Sequence, residues 1–196
     1  MIIWLNGTFG AGKTTTAREL TARLPDSRLF DSEMVGHLLR HVLGDAERDF
    51  QDLPPWRGLV VDTARQVLDH VGGTLVVPQT VLVERYWREL HTGLTEAGIA
   101  VHHFVLDTDQ ATLVRRIETD TEPESAGARQ WRLDHLAEYR EALPWLRRAG
   151  TVLDTTGVPP SRVAETVMAA VAERAGDGGA VVEGGGAVVG EPRVGR

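Results

Sequence analysis

Gly7-Thr8-Phe9-Gly10-Ala11-Gly12-Lys13-Thr14 matches the pattern G-x-x-x-x-G-K-[ST]. Glycines at these spacings let successive backbone N–H groups turn inward around phosphate oxygens, and a helix starting at Lys13 adds the positive end of its dipole. Lys13 then reaches the outer phosphates, and Thr14 offers its hydroxyl to Mg²⁺. The pattern predicts a nucleoside triphosphate site, ATP with Mg²⁺, held by residues 7 to 15 with Thr15 closing the run. It does not say where the phosphate goes.

Asp31 stands at the predicted end of a second strand, where the carboxyl ends of parallel strands face the crevice of the phosphate loop. It can take a proton from an acceptor hydroxyl or hold water on Mg²⁺. Alternatively it caps the helix that follows, and Glu33 competes with it as base. The third strand runs into Pro78-Gln79-Thr80 without an acid, which departs from motor ATPases and favours phosphotransfer over force generation. Gln79 and Thr80 are expected to line the acceptor crevice as neutral hydrogen-bonding groups. Between helices, Phe50 and Trp56 offer flat surfaces for a ring and Arg57 a fork for phosphate or carboxylate. The alternative puts Trp56 in the core and Arg57 in a surface pair.

Arg115 and Arg116 precede a polar connection over residues 119–127, and Arg129 and Arg132 follow it. This arrangement reads as a lid that closes over the triphosphate, with Arg116 and Arg129 stabilising the transferring phosphoryl group. Asp120, Glu122 and Glu124 oppose that role, and a solvated helix face is the alternative for each arginine. The loop Asp154–Pro159 is placed to border the nucleotide base. His37 and His41 have i, i+4 spacing but no third ligand, so no metal site is expected there. His102 and His103 alternate across a strand and cannot share a face.

The elements that must position these groups follow from periodicity. Ile2–Leu5, Arg28–Asp31, Leu75–Pro78, Ile99–Asp107 and Thr151–Asp154 read as strands. Between them, helices are expected over Lys13–Leu24, Met34–Leu43, Gly58–Val71, Glu84–Ala97, Gln110–Glu118 and Arg129–Arg148. Met34, Leu38 and Val42 mark the apolar spacing of the second helix. A last helix is predicted over Ser161–Ala175 with Ser161 as its N-cap. Alternation of strands and helices implies crossover units, hence an α/β fold with a parallel sheet covered on both faces.

The 196 residues suit one domain, assigned to 1–175, and a composition with 42% hydrophobic and 25% charged residues suits a folded core. Eight of the 21 glycines fall from Gly176 onward, where Gly-Gly-Ala-Val-Val occurs twice, so 176–196 is expected to be a disordered tail. A net charge of −7 argues against a nucleic-acid or membrane-surface partner and leaves a small-molecule substrate. No cysteine is present and no targeting segment is visible, so a cytoplasmic location is expected, as monomer or homodimer.

Several blocks together resemble the bacterial ATP-binding tunicamycin-resistance proteins. They are the stretch from Met1 to Thr14, Phe30-Asp31-Ser32-Glu33-Met34-Val35-Gly36, Asp49-Phe50-Gln51 with Pro55-Trp56-Arg57, Val77-Pro78-Gln79-Thr80, and Val101-His102-His103-Phe104. The resemblance spans roughly residues 1–170. It implies a fold similar to nucleoside monophosphate kinases and a more distant likeness to chloramphenicol phosphotransferase, in which an acid after the second strand serves as base; Asp31 matches that position. It also implies resistance to a uridine-containing nucleoside antibiotic, by sequestration or by ATP-dependent modification. A nucleotide or metabolite kinase remains a further alternative. The chain departs from the family at Asp120, where relatives carry a basic lid residue. It departs again in its glycine-rich end, which replaces the amphipathic basic end of membrane-associated members.

Overall fold

Five short strands, β1 Ile2–Asn6, β2 Ser27–Leu29, β3 Thr74–Pro78, β4 Val101–Asp107 and β5 Thr151–Asp154, form one sheet in the order β2-β3-β1-β4-β5. All of its pairings are parallel; Ile3 stands beside Val76 on one side and His102 on the other. The computed structural model describes residues 1–44, 49–120 and 127–178.

Period-two alternation sends β1 side chains to two different cores. Ile2 and Trp4 join Leu75, Val77 and Val105 beneath α3 Pro54–Val71, α4 Glu84–Glu96 and α7 Leu136–Ala149. Ile3 and Leu5 join Val76 and Phe104 beneath α1 Lys13–Arg23 and α8 Pro160–Gly178, which pack on each other. With both faces covered, β1 is buried at every residue, as a central parallel strand requires. The result is a three-layer α/β sandwich of the P-loop, nucleoside monophosphate kinase-like type. Among the described residues, no helix is long and apolar enough to cross a membrane.

The structure corrects several local expectations. β2 ends at Leu29, so Asp31 lies two residues beyond the strand, although Phe30 N still bonds Val76 O at 2.9 Å. Helix α2, Glu33–Leu43, buries Val35, Gly36 and Leu39 and leaves Met34, Leu38 and Val42 exposed. The reason lies in Phe50, whose ring fills the space where a Cβ on Gly36 would stand, 2.5 Å from Cγ, so the helix docks by its smallest residue. Pro54 starts α3, placing Trp56 and Arg57 in its first turn instead of a connecting loop.

The long helix expected over Arg129–Arg148 is broken at His135 into α6, Arg129–Asp134, and α7. Helix α8 begins at Pro160, which puts Ser161 inside the helix and not at its cap. The same helix runs to Gly178, three residues into the segment expected as a tail; residues 179–196 lie outside the described residues. So does most of the expected mobile connection, over 121–126. Helix α5 occupies Gln110–Glu118 as expected.

Candidate active site

The chain leaves β1 through Asn6, a fully buried side chain that holds the turn. Its Oδ1 accepts from Gly7 N at 2.8 Å and Val81 N at 3.0 Å, while its Nδ2 donates to Val81 O at 3.0 Å. Gly7 has φ 133°, and a Cβ there would stand 2.5 Å from the Leu106 carbonyl oxygen, so the position admits only glycine. No side chain caps α1, which leaves its first N–H groups facing the hollow of the loop.

Lys13 folds across that hollow and donates from Nζ to Thr8 O at 2.8 Å. Burial lowers its ammonium pKa to about 8, with the Glu33 carboxylate partly countering and the Arg132 guanidinium reinforcing the shift. Thr8 Oγ1 is buried with no hydrogen-bond partner. Thr14 and Thr15 are exposed on the first turn of α1. Inward N–H groups, an orphaned hydroxyl and a cation fit a triphosphate, and the Thr14 hydroxyl is a hard oxygen of the kind that would hold Mg²⁺ beside one. Phe9, Gly10, Ala11 and Gly12 complete the wall of a cleft of about 620 Å³.

Arg116 closes the opposite wall. Its guanidinium donates to Gly10 O at 3.0 Å and Thr155 O at 3.4 Å, bridging the glycine loop to the turn after β5. Of that turn, which the sequence expects to border the base, Thr155 and Val158 line the cleft, as does Pro160 at the start of α8. Of the arginines after the connection, Arg132 lines the cleft and pairs with Asp120 at 2.9 Å. Arg129 is exposed, and its guanidinium donates to Asp120 O at 3.4 Å.

At the head of α2, Asp31 is exposed and its Oδ1 accepts from Glu33 N at 3.0 Å, so the carboxylate caps the turn while keeping lone pairs outward. Burial raises the Glu33 pKa, and the Asp31 carboxylate raises it further, against the lowering charges of Lys13, His37 and Arg132. Glu33 thus acts on both cations, Lys13 and Arg132, and Asp31 acts on Glu33.

The remaining sequence-predicted residues face inward. Gln79 is buried and accepts from Ser32 Oγ at 2.8 Å, and Thr80 Oγ1 donates to Gly7 O at 2.8 Å. Phe50 and Trp56 are buried against each other, ring centroids 5.2 Å apart, and the Trp56 Nε1 donates to Ser32 O at 3.0 Å. Arg57 is buried too, bound to the Glu89 carboxylate and Gln51 O and lying 4.3 Å over the Tyr86 ring. Sequence reasoning passed over Asn6 and Ser32, which carry no signature beyond a polar residue at the end of an apolar run.

Comparisons with known proteins agree with this architecture. A search of curated proteins finds no match. Among solved structures, the tunicamycin resistance protein of Deinococcus radiodurans is 31% identical, with 87% of this chain and 95% of that one covered and a TM-score of 0.66. A sugar kinase from Janibacter is 16% identical over 87% and 94% of the two chains, TM-score 0.62. A gluconokinase from Sinorhizobium meliloti is 17% identical over 90% and 96%, TM-score 0.56. These last two share the fold. The AAA domain family matches residues 2–143. With a glycine loop, a 2-3-1-4-5 parallel sheet and these matches, the chain belongs to the AAA domain family of P-loop proteins, in the family of the tunicamycin resistance protein.

Proposed function

We propose that this protein is an ATP- and Mg²⁺-dependent small-molecule phosphotransferase acting on a hydroxyl of a nucleoside antibiotic such as tunicamycin. The observation that carries the reading is the charge coupling of Glu33, whose backbone N–H Asp31 holds, to Lys13 and Arg132 in the cleft wall. Cations on the loop side suit the transferring phosphoryl group, and carboxylates on the other suit an acceptor hydroxyl. The likeness to a protein named for tunicamycin resistance supports the acceptor class.

In this reading residues 7–15 bind the triphosphate, and Lys13 holds its outer oxygens. Asp31 accepts the proton of the acceptor hydroxyl, whose oxygen bonds to the γ-phosphorus as the bond from phosphorus to the β-bridging oxygen breaks, leaving ADP. Mg²⁺ bound beside Thr14 supplies charge neutralisation for the phosphate oxygens. Arg116 and Arg132 hold the cleft wall, with Arg129 at its outer edge. Gln79, Thr80, Phe50, Trp56 and Arg57 shape the acceptor side from beneath.

Mass spectrometry of tunicamycin incubated with protein, ATP and Mg²⁺ tests the proposal, with Lys13→Ala as control. A phosphate-sized mass gain, lost in the control, is expected. Unmodified drug that binds tightly in an ATP-dependent way would instead make the protein a sequestering one.

A further inference from the structure

A phosphotransferase for a nucleoside-like molecule needs a flat surface for the heterocycle, and the rings that the sequence offers for it, Phe50 and Trp56, are walled into the core. The tryptophans divide sharply. Trp4, Trp56, Trp87 and Trp145 are 0%, 0%, 4% and 7% exposed, whereas Trp131 is 49% exposed. Among the described residues it is the one Phe, Tyr or Trp side chain that is exposed.

Trp131 is also held firmly. Its ring meets Phe9 edge to face, centroids 5.0 Å apart at 64°, and lies 3.9 Å from the His135 ring. The His135 Nδ1 and the Trp131 carbonyl are 2.6 Å apart, so the two rings of one helical turn are fixed together. Phe9 belongs to the glycine loop, and the next residue along, Arg132, lines the cleft. The exposed indole therefore stands beside the phosphate loop, one residue before the ion pair of Arg132 with Asp120 at the cleft. An aromatic face backed by two rings and flanked by charge of both signs suits a planar, polar heterocycle better than an aliphatic group.

We infer that Trp131, backed by Phe9 and His135, is the stacking platform for a planar heterocyclic ring of the acceptor. The word acceptor rests on the phosphotransfer reading; the platform itself does not.

Calorimetric titration of uridine, and in parallel ribose, into the full chain without ATP tests the inference, using wild type, Trp131→Ala and Trp131→Phe. Uridine is expected to bind wild type and Trp131→Phe within about threefold, and Trp131→Ala about tenfold more weakly, as loss of one base stack dictates. Ribose is expected to give no measurable heat. Uridine should quench the red-shifted tryptophan emission of wild type but not of Trp131→Phe, and Mg²⁺·ATP affinity should match in all three proteins. Wild-type affinity for uridine in Trp131→Ala, or no uridine binding by wild type, overturns the platform. Loss of ATP affinity alongside uridine affinity reassigns the ring to the donor base and overturns it as well. Trp131-dependent uridine binding without any mass gain on tunicamycin removes the phosphotransfer reading alone. Mass gain with a KM unchanged in Trp131→Ala removes the platform alone.

Discussion

The Thr80 hydroxyl donates to the Gly7 carbonyl at 2.8 Å, tying the turn after β3 to the first residue of the glycine loop. The chain of bonds continues: Gln79 Nε2 donates to Thr80 O at 3.1 Å, and Ser32 Oγ to Gln79 Oε1 at 2.8 Å. Ser32 lies between Asp31 and Glu33, so a polar network with Ser32 and Gln79 buried in it sets the spacing between carboxylates and phosphate loop. Such networks specify geometry because each unmade bond inside the protein costs its full desolvation.

Gln79→Ala therefore leaves the Ser32 hydroxyl buried without its acceptor. Transfer to the acceptor is expected to slow tenfold or more, as small misplacements of reacting groups do, while the KM for ATP stays within about twofold. Steady-state kinetics in which both parameters move together would show that Gln79 serves the phosphate loop instead.

Lys13 must be a cation to hold phosphate, and its pKa of about 8 in the free protein puts its deprotonation within reach. kcat/KM for ATP is expected to be flat below that pH and to fall as pH rises through it, because kcat/KM reports the free enzyme. Glu33→Gln removes the charge that holds the lysine value up, so the falling limb should move to lower pH. A limb that moves upward or stays in place contradicts the assignment.

Arg132 lines the cleft and Arg129 is exposed outside it. Arg132→Ala is expected to reduce kcat/KM for ATP about tenfold or more, and Arg129→Ala less than threefold. Equal losses in side-by-side kinetics would return both arginines to the same role.

Gly36→Ala drives a methyl group into the Phe50 ring, whose Cγ and Cδ1 would lie 2.5 and 2.7 Å away. Overpacking of this kind costs about 1–3 kcal/mol. Urea unfolding should show the loss, and Phe50→Leu in the same chain should recover part of it, since the smaller side chain yields the space.

His103 is stacked on Trp87 at 3.9 Å, with Nδ1 2.9 Å from Ala149 O and Nε2 3.4 Å from Asn6 Nδ2. These partners fit a neutral ring that donates through Nδ1 and accepts through Nε2. Burial is the main cause that lowers its pKa to about 4 from 6.5. The unfolded chain then takes up the proton first, so the contribution of the neutral ring is complete above pH 6.5 and is lost as pH falls toward 4. That loss is about 3 kcal/mol. His103→Gln should flatten the acid side of the stability curve in denaturant titrations between these values; an unchanged slope would place the acid sensitivity elsewhere.

The glycine loop, the strand-helix alternation and the parallel α/β class were legible because contiguous residues carry them. Gly7 to Thr14 fold locally between an apolar run and a helix, and the central strand β1, buried on both faces, shows as an unbroken apolar stretch. Which face of α2 enters the core was not legible. Met34, Leu38 and Val42 have faultless helical spacing, yet Phe50 from a later segment takes the space against Gly36 and turns them outward. Asp31 could be read by position, and so could its capping bond to Glu33 N, but the charge that Glu33 shares with Lys13 and Arg132 arises only when α2, α1 and α6 come together. The same holds for Trp56 and Trp131: one residue type, buried in one place and exposed in the other. Local motifs are written in neighbouring residues, whereas burial and the electrostatic company of a side chain depend on segments far away in sequence, and only the packed fold decides them.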